Sequence, residues 1–157
     1  MQKISPFLWF DTQAEEAANL YVSLFDDAAV TEVARYPEGA PGPAGTVMSV
    51  AFTLAGEEFV ALNGGPMFSF TEAVSFAVRC KDQAEVDRLW TQLTDGGEES
   101  QCGWLKDRFG LSWQIIPERL QELLGDPDPQ RAQRAMQAML QMKKIDVQVL
   151  EDAANGS

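Results

Sequence analysis

Apolar and polar positions along the chain trace one order of elements and then trace it again. Residues 4–10 (Ile-Ser-Pro-Phe-Leu-Trp-Phe) are dense in apolar and aromatic side chains and predict a strand. Thr12 and Glu15 are spaced as a capping box, in which hydroxyl and carboxylate satisfy orphan N–H groups at a helix start. Ala14, Ala17, Ala18, Tyr21, Leu24 and Phe25 then recur at helical spacing, predicting an amphipathic helix over about 13–25 that Asp26-Asp27 ends. A strand is expected at 29–36, followed by a Pro- and Gly-dense stretch at 37–45 that admits no regular element and favours a mobile connection. Residues 46–55 and 57–64 read as a hairpin about Gly56. In its first arm Met48, Val50, Phe52 and Leu54 alternate with Val47, Ser49, Ala51 and Thr53. One face is therefore apolar and the other small and partly polar, as a cavity wall would be.

The order restarts with a strand at 72–80, a second capping box at Asp82 and Glu85, and a helix whose stripe is Val86, Leu89, Trp90 and Leu93. Gly96-Gly97 stops that helix, and two short strands follow at about 101–106 and 111–117, joined by the turn Asp107-Arg108-Phe109-Gly110. Gln13-Ala14-Glu15 returns as Gln83-Ala84-Glu85, and Asn63-x-x-Pro66 is answered by Gln114-x-x-Pro117. The shared order of strand, helix and three strands is the stronger sign of a repeated unit. The expected fold is α+β, with tandem βαβββ modules at 1–66 and 72–117 forming one domain over 1–126, their mixed sheets curved, and a helical extension over 127–157. Within the extension, Asp128-Pro129 is a helix start, and Ala132, Ala135, Met136, Met139, Leu140 and Lys143 share one face. Arg131, Arg134, Lys143 and Lys144 make this the one basic segment. Its Met-rich stripe reads first as a packing surface for its own sheet or a partner subunit, and second as a peptide-binding surface.

Composition narrows the function classes. The chain of 157 residues is 45% hydrophobic and holds 4 Trp, 2 Tyr and 9 Phe, which suits a packed core. Lys and Arg number 12 against 24 Asp and Glu, a formal net charge of −12. Nucleic-acid phosphates and anionic membrane surfaces are repelled by such a chain, and its dispersed carboxylates read as a solvated surface. Cys80 and Cys102 form neither a disulfide framework nor a CxxC motif. No signal-peptide pattern and no apolar run of ~20 residues is present, so a cytoplasmic location is expected. The chain has no histidine. Histidine-ligated metals and histidine acid–base chemistry are thereby excluded.

Three segments carry a resemblance: Phe7-Leu8-Trp9-Phe10-Asp11, Val60-Ala61-Leu62-Asn63-Gly64-Gly65, and the run Gln101 to Gln114, with Cys102-Gly103-Trp104 near its start. On the tandem βαβββ frame they resemble the vicinal oxygen chelate superfamily, and within it the PhnB-like branch often labelled demethylubiquinone methyltransferase. The resemblance extends over nearly the whole chain, including the tail from Gln137 to Asp146. It implies paired modules whose curved sheets each cup a cavity, commonly within a homodimer. Relatives include glyoxalases, extradiol dioxygenases, epimerases and antibiotic-binding resistance proteins, and the enzymes hold a divalent metal through His and Glu on the first and last strands. This chain departs from that set. Gln114 stands where a Glu is expected, Asn63 in the matching strand, Ala73 near the usual His, and Lys3 or Ser5 on the opening strand. Amide oxygens alone are weak metal ligands, so no metal and no cofactor is expected. The methyltransferase label also lacks its physical basis, because the glycines from Gly39 to Gly45 alternate with prolines and lead into a strand, not a helix.

Alternation places Ser49, Ala51, Asn63, Ser75, Ser112 and Gln114 on cavity-facing sides, with Trp9 and Trp104 at the rim. Aromatic walls with a few amides and hydroxyls are the chemistry of a small-molecule pocket. In the other reading, Asn63 and Gln114 bond neighbouring backbone and the aromatic residues are core. Cys102 reads as a structural cysteine before a nucleophile, since only Lys106 and Arg108 are near it in sequence. Glu72 and Asp107 are candidate general bases, and Asp107 has a second role as the Asp of an Asp-x-x-Gly turn. The expectation is a metal-independent protein binding a small aromatic or amphipathic molecule, as a homodimer without nucleic-acid or membrane partners. The alternatives are an isomerase or lyase with a site of its own and, last, an interaction module using the basic helix.

Overall fold

The computed structural model of the chain describes residues 2–156. Two compact units divide the chain, one ending at Phe70 and the other beginning at Thr71. The fold class is α+β, with a four-stranded mixed sheet in each unit. Among the described residues no helix is long and apolar enough to cross a membrane.

Unit 1 runs β1 (Phe7–Phe10), α1 (Ala14–Leu24), β2 (Ala29–Arg35), β3 (Val47–Leu54) and β4 (Glu57–Asn63), a βαβββ order with the sheet arranged β1-β4-β3-β2. β1 and β4 are parallel, and the other pairs are antiparallel. Alternation decides the faces: Val50, Phe52 and Leu54 of β3 are buried with Leu8, Phe10 and Ala61. Ala14, Ala17, Ala18, Tyr21 and Leu24 bring the apolar stripe of α1 down onto β3 and β4. The helix does not begin as its sequence suggests. Gln13 is its N-cap and makes no side-chain cap bond, while the Ala14 N–H donates to Asn63 Oδ1 at 2.8 Å. An amide from β4 replaces the Thr12 capping box.

Unit 2 repeats the order with β5 (Ser75–Cys80), α2 (Gln83–Thr94), β6 (Glu98–Glu99), β7 (Trp104–Lys106) and β8 (Ser112–Pro117), the sheet running β5-β8-β7-β6. Here the capping box forms: the Glu85 N–H donates to Asp82 Oδ1, and Glu85 Oε1 accepts from the Lys81 N–H. Leu105, Trp113 and Ile115 are buried with the α2 stripe of Val86, Leu89, Trp90 and Leu93. β6 is two exposed glutamates held through backbone pairing with Leu105 and Lys106, so it has no apolar signature to read.

Three helices complete unit 2: α3 (Glu118–Leu124), α4 (Pro129–Met139) and α5 (Val147–Ala154). Leu120, Leu123, Ala135, Ile145, Leu150 and Ala154 form their shared core, against which Ile116, Met139 and Met142 pack. On α4 itself Ala135 is buried and Met139 packs on this core, while Met136 and Leu140 of the same stripe are 40% and 52% exposed. The basic residues are used within the protein: Arg134 donates to the carbonyls of Ala153 and Ala154 at the end of α5, and Arg131 bonds Asp126 and Asn155. Arg119 pairs with Glu151, and Lys144 with Asp87 on α2. The segment is also tied by backbone to the turn before β7, where the N–H groups of Cys102 and Gly103 donate to the carbonyls of Met142 and Lys143, each at 2.8 Å.

Candidate functional site

Strand register sorts the candidate residues by face. In unit 2, β5 pairs with β8 as Ser75↔Ser112 and Ala77↔Gln114, and β7 pairs with β8 as Trp104↔Gln114 and Lys106↔Ser112. Partners in register project to the same side. Ser75, Trp104, Lys106, Ser112 and Gln114 therefore share the face opposite the one that packs on α2. Gln114 Nε2 donates to Ser75 Oγ at 2.9 Å, leaving the amide oxygen of Gln114 for another donor. Lys106 pairs with Glu72, which holds the Glu72 carboxyl below its ordinary range through a hydrogen bond and charge attraction. Ser112 is 1% exposed, and its Oγ has no hydrogen-bond partner among the described residues. A buried hydroxyl left in that state costs about 1–3 kcal/mol.

In unit 1 the corresponding open face carries Trp9, Leu62 and Ser49, in register across β1, β4 and β3. Phe7 joins them and is 64% exposed. Asn63 does not share this face. It is one residue beyond Leu62 and lies on the helix side, where its Oδ1 accepts from Ala14 and its Nδ2 donates to Val47 O at 3.1 Å. It also lines a cavity of about 510 Å³ at the end of β1 and β4. Trp9 does not line that cavity but braces its floor, with the indole N–H donating to Gly65 O at 2.9 Å and the ring against Gly64. Its edge-to-face contact with Phe68 holds the ring from another side.

Of the nucleophile and base candidates, Asp107 takes a structural role and Cys102 is a half-buried free thiol. Asp107 is 3% exposed; its Oδ1 accepts from the N–H groups of Phe109 and Leu111, and its Oδ2 from Trp113 Nε1 at 2.9 Å. That is an Asx-type turn with a buried indole attached, which commits both carboxylate oxygens to holding the turn. Cys102 adopts φ +58° beside Gly103 at φ +85°, and its N–H is spent on Met142. The other thiol, Cys80, is buried, which pushes it up to about 12 with a smaller contribution from Glu85.

A divalent metal of the superfamily type would need anionic or imidazole donors converging from first and last strands. On unit 2 those strands offer Ser75 and Gln114, already bonded to each other, and on unit 1 they offer Trp9 and Leu62. Among the described residues no three His, Cys, Asp or Glu side chains converge. The residues present do not fit such a metal.

Comparison with known proteins agrees with this frame. A family described as 3-demethylubiquinone-9 3-methyltransferase matches residues 2–116. The match stops short of the tail at 137–146, which the sequence resemblance had included, so α3 to α5 lie beyond it. The chain is similar to the PhnB protein of Bacillus cereus, with 38% identity and a TM-score of 0.69 over 74% of this chain and 99% of that one. A protein from Pseudomonas aeruginosa shares the fold at 21% identity and a TM-score of 0.62, covering 75% of this chain and 98% of that one. So does a gene product of Arabidopsis thaliana, at 21% identity and a TM-score of 0.51, covering 74% and 98%. Among curated proteins none matches the chain.

Proposed function

Because the chain belongs to the 3-demethylubiquinone-9 3-methyltransferase family, the PhnB-like branch of the vicinal oxygen chelate superfamily, we propose that it binds a small molecule on this scaffold without a metal. The ligand is aromatic or amphipathic and lies on the face of unit 2 turned away from α2, against Trp104 and the polar group of Ser75, Ser112 and Gln114. The observation that carries this reading is the Ser112 hydroxyl. Native proteins rarely leave a buried hydroxyl unpaired, so this one calls for a partner, and a bound ligand would supply it. The free amide oxygen of Gln114 supplies an acceptor beside it, and the Trp104 ring supplies an apolar wall. Ser49 and Trp9 play the equivalent part in unit 1, and the protein works as a cytoplasmic homodimer. With a net charge of −12, nucleic acid is not among its partners.

Methyl transfer is not part of the proposal. A nucleotide-derived methyl donor is held where glycines lead from a strand into a helix N-terminus. Here the Pro/Gly stretch joins β2 to β3, and α1 follows Asp11-Thr12-Gln13. No observation favours an isomerase or lyase either, since Asp107 is committed to its turn and to Trp113, and Glu72 is held by Lys106.

The test is a thermal-shift screen of aromatic and amphipathic metabolites and antibiotics at saturating concentration. At least one compound raises Tm, by an amount that grows with ligand concentration, and Gln114→Leu reduces that shift. A panel with no stabilising compound sinks the reading, as does a tightly held stoichiometric metal in the purified protein.

A further inference from the structure

The cavity of unit 1 belongs neither to the open face of its sheet nor to the polar face of unit 2. Its volume of about 510 Å³ is enough for a small molecule. Strands β1 and β4 run parallel and finish together, and the N–H groups of Gly64 and Gly65 then donate to the carbonyls of Phe10 and Asp11, tying the two chain segments at that end. Opposite them, the Pro/Gly stretch after β2 is closed rather than loose. Tyr36 and Thr46 pair by backbone at 2.9 Å, Gly45 donates to Tyr36 O, and the Tyr36 hydroxyl donates to Asn63 O. Gly42 lies flat on the Tyr36 ring, where a Cβ would come within 2.4 Å of the ring carbons. The result is a fixed aromatic wall, continued by Pro41, Pro43 and Val47.

Charge in this cavity has one sign. Asp11 and Glu15 line it, no Lys or Arg does, and neither carboxylate has a partner among the described residues. Glu15, in the first turn of α1, also favours the helix N-terminus, but Asp11 lies outside the helix and gains nothing of that kind. An aromatic wall with unpaired carboxylates at its edge suits a cation that carries an apolar body, and penalises anions in a chain that is already acidic.

We propose that this cavity binds a small organic amine, its ammonium group held by Asp11 and Glu15 and its apolar body against Tyr36, Pro41 and Pro43. The reading is independent of the ligand assigned to unit 2. Calorimetric titration with phenethylamine, putrescine and tetramethylammonium tests it, with 2-phenylethanol as the neutral match, 3-phenylpropionate as the anionic match and magnesium chloride as a bare-charge control. At least one amine binds, at least tenfold more tightly than its neutral or anionic match and than magnesium. The double variant Asp11→Asn/Glu15→Gln, both exposed and free to change, weakens it by about tenfold or more. Gly42→Val, which drives the loop off Tyr36, weakens the bulkier phenethylamine more than tetramethylammonium. The proposal fails if none of the three amines binds, if 2-phenylethanol or magnesium binds as well as they do, or if the double variant retains full affinity. Ser112→Ala is expected to leave amine binding unchanged, and loss of binding there would move the site to unit 2.

Discussion

Ser112 places stability and binding in opposition. Its hydroxyl is buried without a partner, so Ser112→Ala removes an uncompensated polar group at almost constant shape. The ligand-free protein should gain about 1 kcal/mol in denaturant unfolding, while the ligand-induced Tm shift should fall. A variant that loses both would mean the hydroxyl is satisfied in solution and that the proposed face has lost its main support. That Ser75, Ser112 and Gln114 share a side was legible from alternation, while Trp104, expected at the rim, joins them only through the pairing of β7 with β8. Asn63 was not. The echo of Asn63-x-x-Pro66 in Gln114-x-x-Pro117 suggests equal positions, yet β4 ends at Asn63 against Phe10, whereas β8 continues to Pro117 against Cys80. An offset of one residue along a strand puts a side chain on the opposite side of the sheet, so the echoed positions are not equivalent. No local pattern reports it. The side chain's bonds to Ala14 and Val47, 49 and 16 residues distant in sequence, exist only once the sheet has closed.

Elements with a buried stripe were readable and those without one were not. α1 and α2 bury periodic apolar residues over 11 and 12 positions, long enough to repeat, whereas α4, which buries Ala135 alone, is marked instead by its Asp128-Pro129 start. α3 and α5 have 7 and 8 residues, too few turns for a period to stand out, although Asp146 does cap α5 through the Val149 N–H. The β3–β4 hairpin was legible from Gly56 but its strain was not. Ala55 and Gly56 adopt φ of +50° and +80° between the paired residues Leu54 and Glu57, a two-residue turn of the I′ kind. Alanine is poorly suited to its place there, since a Cβ in the left-handed region costs about 1–2 kcal/mol. Ala55→Asn should therefore raise stability by roughly 0.5–1 kcal/mol, read as a higher denaturation midpoint at unchanged m-value. A lower midpoint would show that the turn is held by contacts Asn disrupts, such as the Gly56 N–H bond to Asp27 O.

For the protein as a whole, the missing histidine becomes a statement about pH. No imidazole titrates between pH ~5 and ~8, so stability should be level there. The Glu72, Asp87, Asp126 and Glu151 carboxyls lie below their ordinary values because each is hydrogen-bonded, to Lys106, Lys144, the Asp128 N–H and Arg119 respectively. A depressed folded pKa adds stability above the unfolded value, here 3.8 for Asp and 4.5 for Glu, and loses it as pH falls through the folded one. On the alkaline side the buried Cys80 thiol, pushed from 9.0 to about 12, favours the fold below 9.0 and loses that advantage as pH rises toward its folded value. Tm measured in steps should be flat from pH ~5.5 to ~8.5 and fall on both sides. An inflection near pH 6.5 would overturn this account. The four tryptophans add a further consequence. Trp90 and Trp113 are sealed, with their indole N–H groups on Glu99 and Asp107. Trp9 braces the unit 1 cavity, and Trp104 lies on the polar face of unit 2. The protein's own emission thus divides into a steady background and one reporter beside each candidate site. With Trp9→Phe or Trp104→Phe, light alone distinguishes filling in unit 1 from filling in unit 2.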